Sequence, residues 1–216
     1  MLILDDGGHN MSQLEPFLAL PFPLTIAVLP ALAYSKETAI ATRQAGKEVM
    51  LHQPMQAINL AIDPGPNAIR PNMSDVEIRS LLQKNVSEIA PIVGMNNHEG
   101  SLITADAQLM ATVLDFCKEN KLYFLDSRTN VETKALLVAN EKNMKIWERN
   151  IFLDNTPEKK DIVEMFNAGL AIAEKNGLVI MIGHVWSGSH LADILRELGT
   201  EAQKKGFVFT TILNLQ

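Results

Sequence analysis

Ser74-Asp-Val-Glu-Ile-Arg-Ser-Leu-Leu-Gln-Lys-Asn-Val-Ser-Glu-Ile-Ala-Pro-Ile-Val-Gly-Met-Asn-Asn-His-Glu-Gly100 is the stretch whose reading decides the fold. Ser74 and Glu77 stand in the spacing of a capping box, which satisfies two otherwise unpaired backbone donors at a helix start. Ile78, Leu81, Leu82, Val86 and Ile89 then fall on one face of a 3.6-residue period, so the segment predicts an amphipathic helix. A short apolar run, Ile92–Met95, follows without polar alternation, as expected of a strand covered on both faces. Asn96-Asn97-His98-Glu99-Gly100 comes next, a polar cluster at the end of that predicted strand.

The same unit recurs along the chain. Short apolar runs occur at Leu2–Leu4, Thr25–Leu29, Glu48–Leu51, Leu122–Leu125, Asn150–Leu153, Leu178–Ile182 and Phe207–Ile212. Helices are predicted from about Ser35 to Gly46 and from about Ser189 to Gly206. A third starts at Thr156-Pro157, read as N-cap and first helical position, and ends at Gly177. Strand and helix thus alternate about seven times over residues 1–216, read as a single domain. That alternation predicts a parallel α/β architecture, either an open doubly wound sheet or a closed barrel. One stretch breaks the rhythm: Gln53 to Asn72 holds Pro54, Pro64, Gly65, Pro66 and Pro71 and no helix pattern, and is read as a functional loop.

Composition narrows the function. Of 216 residues 47% are hydrophobic, ordinary for a packed domain, and 25 acidic against 19 basic residues give a net charge of −6. This balance argues against a nucleic-acid partner, which calls for a basic surface. The lone Cys117 excludes an internal disulfide and a cysteine zinc site, so any metal would rest on histidine, carboxylate and water. No apolar run is long enough for a transmembrane segment. Met1-Leu-Ile-Leu-Asp5 reads as a strand rather than a signal peptide, which fits a cytoplasmic chain or one cut after an export signal.

Polar chemistry collects at the C-terminal ends of the predicted strands. Asp5-Asp6-Gly7-Gly8-His9, His52, Asn96 to Gly100, Asp126-Ser127-Arg128, Asp154 and Gly183-His184 all end such runs, and in parallel α/β folds those ends share one rim. Of five histidines, His52, His98 and His184 stand there, with His9 just past another such end. Two imidazoles and a carboxylate, His52, His98 and Asp6, would make an open site for a divalent ion, zinc first among the candidates. Adjacent Asp5 and Asp6 would point to opposite faces unless the backbone bends, a freedom assigned to Gly7-Gly8. His184 is a candidate general acid. Asn97 could orient substrate or contribute to an oxyanion site, Asp126 and Arg128 read either as a salt bridge or as tuning a base, and Trp186 could stack on a sugar ring. His190 is left without a role, and Trp147 is read as packing.

Five blocks in order carry a family resemblance: Asp5-Asp6-Gly7, Gly46-Lys-Glu-Val-Met-Leu-His52-Gln-Pro-Met55, Gly94-Met-Asn-Asn-His98-Glu-Gly-Ser101, Phe124-Leu-Asp126-Ser-Arg128-Thr129 and Ile182-Gly-His184. Together they resemble the divergent polysaccharide deacetylases, a branch of the metal-dependent carbohydrate esterases. The resemblance implies a distorted parallel (β/α) barrel of about seven strands with its site on the C-terminal rim. It implies Asp5 as general base, Asp6 and His52 as ligands of one divalent metal ion, and His184 as the acid for the leaving amine. It also implies that Asp126 and Arg128 position the base. The chain departs from the family's two-histidine spacing, since Gln56 stands four residues after His52; His98 is the substitute read from its placement. The implied activity is removal of acetyl groups from a polysaccharide or oligosaccharide outside the cytoplasm. The alternatives are a non-catalytic glycan- or envelope-binding protein, favoured by Gln56, and a metallohydrolase of another acyl substrate.

Overall fold

The computed structural model describes residues 1–215. Eight strands form one sheet: β1 (Leu2–Gly7), β2 (Thr25–Val28), β3 (Glu48–Met55), β4 (Gly94–Glu99), β5 (Tyr123–Asp126), β6 (Trp147–Glu148), β7 (Ile151–Phe152) and β8 (Met181–His184). Seven α-helices cover it: α1 (Met11–Leu18), α2 (Ser35–Gln44), α3 (Asp75–Ile89), α4 (Ala107–Glu119), α5 (Ala135–Glu141), α6 (Lys159–Asn176) and α7 (Gly188–Lys204). All strand pairs are parallel, in the order β6-β5-β4-β3-β2-β1-β8-β7.

That order contains its own curvature. The two edge strands are consecutive in the chain, with only Arg149 and Asn150 between them. Three residue steps span at most about 11 Å, so the edges must come close to one another and the sheet must curl into a distorted barrel. One six-residue segment, 147–152, therefore leaves β5 and joins β8. Arg149 N–H donates to Asp126 O on one side of this seam, and Asn150 N–H donates to Ile180 O on the other. Counted this way the barrel has seven staves, about the number the resemblance implies.

Side-chain alternation along the strands sorts the core into two parts. Leu2, Leu4, Ile26, Val28, Val49, Leu51 and Phe124 face the helices. Ile3, Ala27, Met50, Tyr123, Leu125, Ile180 and Ile182 fill the barrel. Two residues beyond Ile3, Met50 and Ile182 on the same faces stand Asp5, His52 and His184. The interior is thus an apolar plug with a polar upper layer.

Three sequence expectations need correction. Phe207–Ile212 is not a strand: β1 and β7 already occupy both edges of β8, so the run finds no ladder to join. Part of it is buried by side chains instead, with Phe209 stacked on Phe22 at 4.3 Å and Ile212 packed into the plug, while Val208 is exposed. Thr156 does not cap α6, which begins at Lys159 after Glu158; its hydroxyl donates to Asp161 Oδ2 instead. The polar rim residues, read as following the strands, lie inside them, because β3 runs on to Met55 and β4 to Glu99. The capping box at Ser74 and Glu77 and the left-handed Gly177 after α6 are present as read.

Gly94 shows how tightly the plug is fitted. A Cβ there would lie 2.3 Å from the Tyr123 ring, which is held by its hydroxyl's hydrogen bond to Glu48. Gly94→Ala is expected to destabilise the fold by about 1–3 kcal/mol through overpacking, read from the midpoint of urea unfolding. An unchanged midpoint would contradict this account of the interior.

Candidate metal centre and active site

Rim chemistry begins with the backbone. Asp6, Glu99 and Arg128 are non-glycine residues with φ of 63°, 53° and 50°, each at or just past the end of a strand of the rim. Left-handed backbone is costly for such residues and concentrates where a site demands it. At β1 the pairing register also shifts between Leu4 and Gly7. The bend that brings both aspartates to one place is therefore made by Asp6 itself. Gly7 keeps negative φ, so the freedom attributed to the glycine pair belongs only to Gly8.

The result is a triangle of donor atoms. Asp6 Oδ1 lies 3.2 Å from His52 Nε2 and 3.0 Å from His98 Nδ1, and the two nitrogens are 3.1 Å apart. Asp6 Oδ1 is buried and receives no well-directed hydrogen bond. An oxygen and two nitrogens gathered this closely suit a cation. Ligands about 2.0–2.2 Å from one tetrahedral ion would be separated by about 3.3 Å, close to the spacing found. The residues present thus fit a divalent metal, and the sequence-predicted trio Asp6, His52 and His98 is brought together.

Hydrogen bonds around this triangle orient His52 and both aspartates. His52 Nδ1 lies 2.7 Å from Asn96 Oδ1, which can only accept, so Nδ1 donates and Nε2 faces the triangle. Asn96 Nδ2 in turn donates to Asp5 Oδ1 at 2.9 Å and to Ser127 Oγ at 3.2 Å. The other oxygen of Asp5 stands 3.7 Å from His52 Nε2. Trp186 Nε1 donates to Asp6 Oδ2 at 3.0 Å, which leaves Oδ1 directed inward. On the neighbouring strand, His184 Nδ1 donates to the buried Asp154 at 2.8 Å, and the same carboxylate accepts from Ser187 Oγ and His184 N–H. The His184 ring is stacked between Phe152 and Trp186, at 5.6 and 5.1 Å.

Burial and charge set the protonation of these groups. Burial raises the Asp5 carboxyl above its usual range, more than His52 and His184 lower it. Burial would also raise Asp6, but the two imidazoles outweigh it and hold that carboxyl far below the usual range. Burial opposes a charged His52, yet Asp5, Asp6 and the Asn96 carbonyl carry its pKa up to about 9. For His184 burial is likewise opposed by Asp154, and the net direction is upward. A cavity of about 450 Å³ opens over the groups, with Asp5, Asp6, His52, His98, His184 and Trp186 in its wall.

Other sequence-predicted residues are placed differently. Asn97 lies in the cavity wall, but its oxygen accepts from Ser127 N–H and its amide donates to Glu99 O, so it is committed to the β4–β5 rim and not free for an oxyanion. Asp126 and Arg128 make no side-chain pair: Asp126 accepts from Arg128 N–H and Thr133 Oγ1, while the Arg128 guanidinium pairs with Glu148. Neither lines the cavity, so both act on the loop after β5. Arg149, at the barrel seam, lies over Phe152 and donates to the carbonyls of Ser127 and Arg128. Sequence reading noted Asp154 at a strand end without giving it a role and missed Arg149, whose place depends on the barrel seam. Gln56 stands off the site and joins Arg70 in bracing the loop.

Comparison with known proteins agrees with this fold. The family profile described as divergent polysaccharide deacetylase matches residues 2–215, and the chain belongs to that family. Two curated relatives are similar over 184 residues: an uncharacterized protein of Haemophilus influenzae at 33% identity and the uncharacterized protein YibQ of Escherichia coli at 35%. The match covers 85% of this chain but only 65% and 57% of theirs. Among solved structures, an uncharacterized protein of Agrobacterium tumefaciens superimposes with a TM-score of 0.91 at 16% identity, over 100% of this chain and 87% of that one. A family 4 carbohydrate esterase from Streptomyces lividans, in complex with acetate, gives 0.58 at 16% identity over 94% of this chain and 87% of its own. The catalytic domain of a peptidoglycan N-acetylglucosamine deacetylase from Eubacterium rectale gives 0.57 at 12% identity, over 97% and 87%. At these identities the likeness establishes the fold. No helix among the described residues is long and apolar enough to cross a membrane.

Protein prepared without chelator or affinity tag is expected to bind about one zinc ion per chain by mass spectrometry, and Asp6→Ala and His98→Ala to lose it. Gln56→Ala should keep it. Retention by His98→Ala would remove His98 from the ligand set.

Proposed function

We propose that this chain is a metal-dependent hydrolase that removes acetyl groups from a polysaccharide. The observation that carries the reading is the placement of a buried carboxylate, Asp5, and a carboxylate-supported imidazole, His184, beside one three-ligand cluster in a single cavity. Asp6, His52 and His98 would hold the cation, zinc in the first instance. Such an ion, when bound, polarises an acyl carbonyl and acidifies a water.

The remaining chemistry belongs to the side chains. Asp5, raised by burial and oriented by Asn96, takes the proton of the attacking water. His184, with Nδ1 engaged by Asp154, turns Nε2 to the cavity and protonates the leaving amine. The two groups hold opposite duties because their environments differ, one a buried acceptor, the other a donor backed by a carboxylate. Trp186 holds Asp6 in place, and its half-exposed ring offers a face to a sugar. The family and the deacetylase-like fold support an acetylated glycan as substrate, and an envelope polysaccharide met outside the cytoplasm follows from the same resemblance. The feature that favoured a non-catalytic binder, Gln56 in place of a ligand, loses its force once His98 completes the triangle.

Acetate release from N-acetylglucosamine oligomers and acetylated peptidoglycan fragments tests the reading. The zinc-loaded protein is expected to release acetate, and Asp5→Asn to lower turnover by on the order of 10²- to 10⁴-fold without losing the metal. His184 must be protonated to act, so activity falls as pH rises through its raised pKa. Asp154→Asn removes the group that raises it and should move that alkaline limb to lower pH. No acetate from any of these substrates by metal-loaded protein would contradict the proposal.

A further inference from the structure

Asn96 is fully buried, holds no catalytic atom and touches no predicted substrate, yet its one amide joins the two halves of the site. We propose that Asn96 is a positioning residue that fixes both the metal-binding tautomer of His52 and the orientation of the base Asp5; the proposal rests on the reading of the site given above.

The argument is one of donor and acceptor matching. A carboxylate carries no proton, so the only group of an amide that can face Asp5 Oδ1 is the NH₂. The 2.9 Å contact from Asn96 Nδ2 is that pairing, and a second hydrogen of the same NH₂ reaches Ser127 Oγ at 3.2 Å. With both hydrogens spent on that side, the amide must present its oxygen to His52. An oxygen facing Nδ1 at 2.7 Å requires the ring proton on Nδ1. A neutral ring then has its lone pair on Nε2, the atom that points at Asp6 Oδ1 and His98 Nδ1. Turning the amide over would set its oxygen against the carboxylate and its NH₂ against Nδ1, leaving the proton on Nε2, where no metal could bind. Only one orientation serves both partners, and strand register sets the amide beside His52. Asn96 lies opposite His52 in the β3–β4 ladder, so its side chain has His52 as a lateral neighbour.

Two substitutions separate the duties. Asn96→Asp keeps an acceptor for His52 Nδ1 but sets a carboxylate against Asp5. Its zinc affinity, measured by competition with a chromophoric chelator, is expected to stay within a few-fold of the parent, while turnover falls on the order of 100-fold. Asn96→Ala removes the acceptor and is expected to weaken zinc by about 10- to 100-fold, the effect typical of losing a ligand's hydrogen-bond partner. In the metal-free parent, at a pH where the ring is neutral, the ¹⁵N signals of His52 should show the proton on Nδ1. Zinc affinity unchanged in Asn96→Ala, or lost equally in Asn96→Asp, would overturn the proposal, as would a proton on Nε2 in the parent. If Asn96→Ala does not fold, Asn96→Asp and the parent ¹⁵N signals still decide. A parent that binds zinc but releases no acetate would count against the proposed activity and leave the positioning role standing.

Discussion

The left-handed turn of the backbone at Asp6 is the constraint on which the rest of the site depends. In a regular strand, consecutive side chains leave on opposite faces, and Asp6 would point toward the helices as Leu4 does. With φ at 63° and a register shift in the β1–β2 ladder, both carboxylates face the barrel mouth. Such a conformation costs about 1–3 kcal/mol in a non-glycine residue, and Glu99 and Arg128 carry the same kind of cost nearby. Other non-glycine residues, Ala31, Asn67, Lys121 and Asn143, share this backbone, but only at Asp6 does it turn a carboxylate into the donor triangle.

A second constraint is electrostatic. Asp5 and Asp6 are adjacent carboxylates sunk over an apolar interior, an arrangement unfavourable unless positive charge is supplied. In the metal-free chain a second proton on His52 supplies some of it; a divalent cation at Nε2 would take that proton's place and supply more. The same low-dielectric surroundings that make the pair costly make a base of Asp5 and sustain the His184–Asp154 couple. Stability was given up locally, and acid–base contrast is the return.

Much of this was legible in the sequence. The capping box at Ser74, the unalternated strands and Gly177 after a helix foretold a parallel α/β fold, since each is a local signal with a local cause; the choice of a barrel over an open sheet came from the family resemblance. His52, His98, His184 and the aspartate pair were legible because they end strands, and parallel strands end on one rim. What was not legible depends on closure or on hydrogen-bond direction. Arg149 reaches the carbonyls of Ser127 and Arg128 only because residues 147–152 cross the barrel seam, and a two-residue strand leaves almost no periodic signal. Asn97 and Arg128 carry the right chemistry at the right spacing, but their polar groups are consumed by Ser127 and Glu148. Phe207–Ile212 has the composition of a strand and no free edge to pair with.

The central claim is that Asp6, His52 and His98 share one divalent cation. Crystals soaked in zinc and measured at the zinc absorption edge test it most directly. The account predicts a single strong anomalous peak within about 2.0–2.2 Å of an Asp6 carboxylate oxygen, His52 Nε2 and His98 Nδ1. A peak elsewhere, or His52 turned to present Nδ1 to the metal, would contradict it.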